Sequence, residues 1–307
     1  MGRTAFLFPG QGSQAVGMGR DFYDRSEAAR ALVESADRIL GYPLSRLCFE
    51  GPEEELKLTQ NTQPALLLAG TLAARALDRE PDIAAGHSLG EYTALVAAGA
   101  LAFEDALLLV HKRGRYMQEA VPVGEGAMAA VLGLDLAAVR DGLARVPGGG
   151  VEVANWNSPE QIVISGRAAA VESALKILAA PRAVLIPVSA PFHSSLMKGA
   201  EERLAADLDA TTFRDPRFPV VSNVDAKPIR TGVEARDALK RQVSRPVLWT
   251  ASMEALRAES VDRFVEAGPG RVLTTLLKRI AKTWGTPITV LNVDGWEAAE
   301  RTRAALS

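Results

Sequence analysis

One cysteine in 307 residues, Cys48, excludes an internal disulfide and fits a reducing compartment. Its expected state is that of a small buried hydrophobe, because no histidine lies near it in sequence. No charge of either sign dominates. With 35 Lys and Arg against 37 Asp and Glu the formal net charge is -2, so no global basic field argues for nucleic acid. Long hydrophobic runs are missing as well. The longest charge-free apolar stretch, Tyr92 to Phe103, falls short of the about eighteen residues of a membrane span and reads as a buried helix and turn. The apolar run between Arg3 and Pro9 is too short for a secretory leader, so a cytoplasmic, non-membrane protein is expected. Histidine is scarce too: there are three, which shortens the search for a general base.

What is present is enough to bury a sizeable core, with 48% hydrophobic residues and a length that suggests more than one domain. Thr4 to Phe8 is a continuous apolar run stopped by Pro9-Gly10, the pattern of a buried parallel strand feeding a loop. The loop Pro9-Gly10-Gln11-Gly12-Ser13-Gln14 lacks the Lys-Ser/Thr ending of a P-loop and the spacing of a dinucleotide fingerprint. Helices are expected over 26–40, from Gln63-Pro64 onward and over 106–119.

After Pro122 the pattern changes. Strand 127–133, helix 135–145, strands 151–155 and 161–165, helix 167–179 and strand 183–188 give the order βαββαβ of a ferredoxin-like unit. Such a unit has neighbouring termini and inserts readily into another domain. The expected architecture is therefore α/β: a large α/β-hydrolase-like domain with a parallel sheet, 1–122 and 194–307, interrupted by a small ferredoxin-like domain, 123–193. The large domain should resume with a helix over 194–208 and strands at 220–222 and 261–266. Gly268-Pro269-Gly270 should start a last helix running to about Thr283.

Gly86-His87-Ser88-Leu89-Gly90 carries the chemistry. A serine with glycine two positions to either side fits the tight strand-to-helix turn that lifts a hydroxyl above a sheet at a helix N-terminus. The pentapeptide alone is also compatible with a Gly-rich βα connection holding an inert serine. Among the histidines, His87 adjoins Ser88, but adjacent side chains on a tight turn point apart, and a structural role is expected. His111 reads as a solvated surface residue. His193, in Ser189-Ala190-Pro191-Phe192-His193-Ser194-Ser195, sits where the small lobe returns to the large one and is the candidate base. Arg113 falls on the apolar stripe of its helix with Leu109, Val110 and Met117. A guanidinium there needs a partner, either an internal carboxylate, a snorkelling path to water, or a carboxylate brought by a substrate.

These residues belong to a longer pattern: Phe8-Pro9-Gly10-Gln11-Gly12-Ser13-Gln14, Gly86 to Tyr92, Arg113-Gly114 with Met117-Gln118, Ala154-Asn155 with Asn157-Ser158-Pro159, Ala190 to Ser194, Gln242 ahead of Pro246-Val247 and Trp249, and Gly268-Pro269-Gly270. Seven blocks in this order, spread over nearly the whole chain, resemble malonyl-CoA:acyl carrier protein transacylases. The resemblance implies that Ser88 is the acyl-accepting nucleophile and His193 its base, oriented by a carbonyl oxygen of Gln242. It implies an oxyanion hole from the backbone N–H groups of Gln11 and Leu89, and a malonyl carboxylate held by Arg113. Asn155 and Gln63 are implied as supporting polar contacts, and Phe192 as a bulk that disfavours an α-methyl branch. It further implies ping-pong transfer from malonyl-CoA to the phosphopantetheine thiol of acyl carrier protein in fatty acid biosynthesis, with no cofactor or metal, by a monomer. Lys198, Arg271, Lys278, Arg279 and Lys282 are candidates for meeting an acidic carrier. Thr275 departs from the pattern, standing where the family commonly has glycine, which questions the packing of that helix. A free-standing polyketide acyltransferase would share the site, and a serine esterase would share the elbow, although it usually places its histidine near the C-terminus.

Overall fold

The computed structural model describes residues 2–188 and 190–307; Met1 and Ser189 lie outside the described residues. Among the described residues ten strands form two sheets. They are Arg3–Phe8 (β1), Ile83–Gly86 (β2), Gly126–Leu132 (β3), Val151–Ser158 (β4), Gln161–Arg167 (β5), Arg182–Leu185 (β6), Val220–Val221 (β7), Pro228–Ile229 (β8), Val261–Ala267 (β9) and Thr289–Val293 (β10). The larger sheet has the order β10-β9-β1-β2-β7-β8, parallel throughout except for β8. β1 is central and covered on both faces, which is why its sequence is apolar without alternation.

Register sets the site. Phe8 stands beside Gly86 and Leu7 beside Glu266, so β1, β2 and β9 end at one edge, and the loops after them converge there. The carboxyl ends of parallel strands are where open α/β sheets gather ligands.

The smaller sheet is antiparallel, in the order β4-β5-β3-β6. With helices Leu136–Ala144 and Ala168–Leu178 between its strands it is the expected βαββαβ unit. Period-two alternation divides its side chains. Ala129, Val131, Ile162 and Ile164 pack with Val171, Ala174 and Leu178 of the helices, whereas Met128, Ala154 and Val163 join the main core of the large sheet's layer. β4 is also fastened to the chain at Val247, whose N–H donates to Ala154 O and whose carbonyl accepts from Trp156 N–H, both at 2.9 Å.

Three expectations need correction. Gln63-Pro64 does not open a helix; both lie inside helix Thr59–Ala76. Proline there leaves the carbonyl four residues earlier, Gln60 O, without its helical donor. His111 Nδ1 fills that place at 3.1 Å, so His111 is a half-buried structural residue rather than a solvated one. The helix after Gly270, Val272–Ile280, is not the last, since β10 and helix Trp296–Leu306 follow it. Thr275 is exposed on that helix and its hydroxyl donates to Arg271 O at 2.8 Å, so the helix runs through it undisturbed. No helix among the described residues is long and apolar enough to cross a membrane.

Candidate active site

β2 ends at Gly86 and helix Leu89–Ala97 begins three residues later, so the chain reverses over His87 and Ser88. A Cβ on Gly86 would lie 1.9 Å from the Gly90 carbonyl, and one on Gly90 would lie 2.0 Å from Phe8 O. Both glycines are therefore required by backbone contact. Ser88 takes φ 52° and ψ -106°, a strained conformation for a residue with a side chain. Asn223, two residues past β7, clamps it: Oδ1 accepts from Ser88 N–H and Nδ2 donates to Gly86 O, each at 2.7 Å. With its own N–H so engaged, Ser88 leaves that of Leu89, the first helical residue, among the donors without an intrahelical acceptor.

His193 also has a positive φ, 56°, which turns its ring back toward the elbow. Ser88 Oγ lies 2.7 Å from His193 Nε2. On the other side, Nδ1 faces two backbone carbonyls, Gln242 O at 2.9 Å and Arg245 O at 3.2 Å. Only a protonated Nδ1 satisfies two acceptors, which leaves Nε2 free to accept from the serine. Burial, reinforced by the charge of Arg113, pushes His193 down to about 3. The imidazole therefore stays neutral across the physiological range, the form in which Nε2 can accept a proton.

A pH profile follows. An imidazole can accept the Ser88 proton only while it is neutral, and His193 becomes protonated only several units below the ordinary histidine value of about 6.5. Modification of Ser88 by a neutral sulfonyl fluoride should accordingly show no acid limb between about pH 8 and about pH 5. A limb centred near the ordinary value contradicts the buried environment.

Arg113 is 1% exposed and lies on helix Phe103–Glu119. Gly114 beside it lets this helix press on the start of the Thr59 helix, where a Cβ would come within 2.6 Å of Thr59 O. That contact brings Nη1 of Arg113 to 2.8 Å from Gln63 Oε1. Nη2 donates to Gln242 Oε1 at 3.0 Å and to Ser88 Oγ at 3.1 Å. The guanidinium carbon lies 5.6 Å from the centre of the Tyr92 ring. Nε has no protein acceptor. Gln242 thus serves the site twice, with its backbone carbonyl on His193 and its side chain on Arg113.

Gln11, Leu89, Asn155 and Phe192 line the same cavity, of about 120 Å³, with Ser88, His193, Arg113 and Gln63. Gly10 lets the first loop approach, since a Cβ there would lie 2.4 Å from His87 O. Met117, Met128, Ile186 and Val188 complete an apolar wall. Two clefts of about 530 Å³ lie elsewhere on the surface, and neither lining brings a serine or cysteine beside a histidine. His87 is half-buried, 2.8 Å from Asn157 Oδ1 of β4, and tilted against Trp249. Cys48 is buried, its thiol pushed up to about 12 by burial and so unreactive.

Sequence reasoning missed Asn223, the Arg245 carbonyl and Glu91. Glu91 lies inside the serine block, with a fully buried carboxylate that accepts from Gln242 Nε2 at 2.6 Å. A carboxylate placed among Tyr92, Ala94 and Leu95, on a helix hydrophobic all round, was the available signal. Of the basic surface candidates, Lys198 pairs with Glu201 and Arg279 donates to Gln161 Oε1 at 2.6 Å.

A family model described as acyl transferase domain matches residues 5–299. Among curated relatives, the malonyl CoA-acyl carrier protein transacylase of Bacillus subtilis is 48% identical over 288 residues, 91% of each chain. That of Escherichia coli K12 is 47% identical over 291 residues, 92% of this chain and 94% of its own. The malonyl CoA-acyl carrier protein transacylase structure from Coxiella burnetii superposes with a TM-score of 0.95 at 40% identity, covering 99% of this chain and 98% of the other. A malonyl-transacylase solved in complex with a type II PKS acyl-carrier protein gives 0.94 at 41% identity, covering 99% of both chains.

Proposed function

The chain belongs to the malonyl CoA-acyl carrier protein transacylase family, and from that premise we propose that its activity, S-malonyl transfer in fatty acid synthesis, runs through a malonyl ester of Ser88. The observation that carries this reading is the buried guanidinium of Arg113 within hydrogen-bond reach of the nucleophile.

In the first half-reaction Ser88 Oγ attacks the thioester carbonyl carbon of malonyl-CoA while His193 Nε2 takes its proton. The carbonyl oxygen becomes an oxyanion facing the N–H groups of Leu89 and Gln11, whose position on the loop beside the elbow supports this role. Collapse breaks the C–S bond, and the departing CoA sulfur receives the proton from His193. The second half reverses these steps. The phosphopantetheine thiol of acyl carrier protein gives its proton to His193 and attacks the serine ester, and Ser88 regains its proton as leaving group.

Arg113 holds the malonyl carboxylate through parallel N–H donors, for which Nη2 exchanges Ser88 Oγ for a carboxylate oxygen. Gln63 and Gln242 keep the fork in place, and Asn155 lines the acyl cavity opposite them. Phe192 fills the wall beside His193, where a branch on the α-carbon would collide. We assign 123–193 to one inserted lobe whose strand β4 and return segment bring Asn155, Phe192 and His193 over the elbow. A neutral acetyl group leaves the buried guanidinium without its anion, and for the same reason a simple ester hydrolase does not suit the pocket. Carrier docking is assigned to exposed basic side chains, of which Arg271, Lys278 and Lys282 lie on or beside helix Val272–Ile280.

Initial rates at several fixed carrier concentrations test the two-step scheme. Parallel double-reciprocal lines are expected because CoA leaves before the carrier thiol reacts. Intersecting lines, the mark of a ternary complex, contradict it.

A further inference from the structure

Glu91 takes no part in the steps above, yet its carboxylate is sealed inside the protein next to them. Oε2 accepts from Gln242 Nε2 at 2.6 Å and from Asn223 N–H at 3.2 Å. Gln242 Nε2 also donates to Ser88 O at 2.9 Å. Both amide hydrogens are thereby engaged with oxygen acceptors, so Oε1 must face the other way, toward Arg113 Nη2 at 3.0 Å. A flipped amide would set its NH₂ group against a guanidinium and its oxygen against a carboxylate, and both contacts repel. The order carboxylate, amide, guanidinium therefore fixes itself.

We propose that Glu91 is a positioning residue that holds Arg113 for the substrate carboxylate, supplying compensating negative charge across the Gln242 amide instead of by a direct ion pair. The inference rests on Arg113 being the partner of the malonyl group. A buried guanidinium needs negative charge nearby. A carboxylate in direct contact would occupy the donors that the acyl group requires, because a bidentate pair uses the whole edge of the fork. With one amide interposed, the charge is balanced and the Nη2 donor that rests on Ser88 Oγ can be exchanged for a carboxylate oxygen of the acyl group. Two features agree with this arrangement. Glu91 Oε1 and Arg113 Nε, fully buried atoms of the two charged groups, both lack protein partners. Burial pushes the Glu91 carboxyl up, and the hydrogen bonds from Gln242 and Asn223, followed by the charge of Arg113, pull it back toward the ionised form.

The experiment compares kcat/KM for malonyl-CoA and acetyl-CoA in Glu91→Ala, Glu91→Gln, Gln242→Met and Arg113→Ala. Glu91→Ala should lower the malonyl-to-acetyl ratio by about tenfold or more, through loss of an orienting charged hydrogen bond. Glu91→Gln keeps an oxygen acceptor for Gln242 but removes the charge, so the ratio should stay lowered; full recovery would mean that the acceptor alone suffices and would overturn the role of the charge. Gln242→Met keeps the backbone carbonyl on His193 and should lower the ratio as Glu91→Ala does, because the amide is the link through which Glu91 reaches Arg113. Equal losses toward both thioesters in Glu91→Ala and Gln242→Met would mean that the carboxylate merely supports the fold, and would overturn the proposal. If Arg113→Ala itself keeps the malonyl preference, the carboxylate clamp has failed first. If Arg113→Ala loses the preference and the Glu91 and Gln242 variants keep it, only the role of Glu91 is wrong.

Discussion

Ser88→Ala should lower malonyl transfer by on the order of 10⁴-fold or more while leaving the fold intact. The side chain is small, the strained backbone is held by Asn223 through main-chain atoms, and Asn223 remains in the variant. What disappears is the oxygen that bridges His193 and Arg113. Because nucleophile and base act as a unit, His193→Ala should cost about as much, and the double variant little more. Circular dichroism establishes that the variants are folded, and carrier acylation under single-turnover conditions gives the rate. Residual transfer within about tenfold of the parent would remove Ser88 from the mechanism.

Arg113→Ala should lower kcat/KM for malonyl-CoA by roughly 10²- to 10³-fold, while acetyl transfer falls far less or rises. The expectation follows from position. A guanidinium 3.1 Å from the nucleophile meets whatever follows the acyl carbonyl, and a bidentate carboxylate is the group that fits its donors. Arg113→Lys should recover only part of the loss, because an ammonium restores charge without the planar fork. Arg113→Ala also withdraws compensation from Glu91, so a lower melting temperature is expected, and the ratio of the two thioesters must be read rather than either rate alone. An unchanged ratio sinks the clamp.

Local signals made part of this legible in the sequence. The unbroken apolar run of β1, the serine between glycines and the βαββαβ alternation each express a short-range constraint, and the corresponding elements lie within a few residues of where the pattern puts them. Arg113 was visible as a charge on an apolar stripe, and the structure buries it. Contacts between distant segments were not visible. Asn223 reaches Ser88 over 135 positions and Glu91 reaches Gln242 over 151. No periodicity reports a side chain whose partner is set by tertiary packing. Pro64 misled in a different way: a proline ordinarily marks a helix start, but His111 satisfies the carbonyl it orphans, so the helix begins a turn earlier. β10 and the helix Trp296–Leu306 lie beyond Gly268-Pro269-Gly270, whose signal marks only the start of the helix that follows it.

Intact-protein mass spectrometry tests the central claim most directly. After incubation with malonyl-CoA and removal of free thioester, the protein should carry one malonyl group, mapped by peptide sequencing to Ser88, and holo acyl carrier protein should discharge it stoichiometrically. No adduct on the parent, or an adduct that persists in Ser88→Ala, would contradict transfer through a malonyl ester of Ser88.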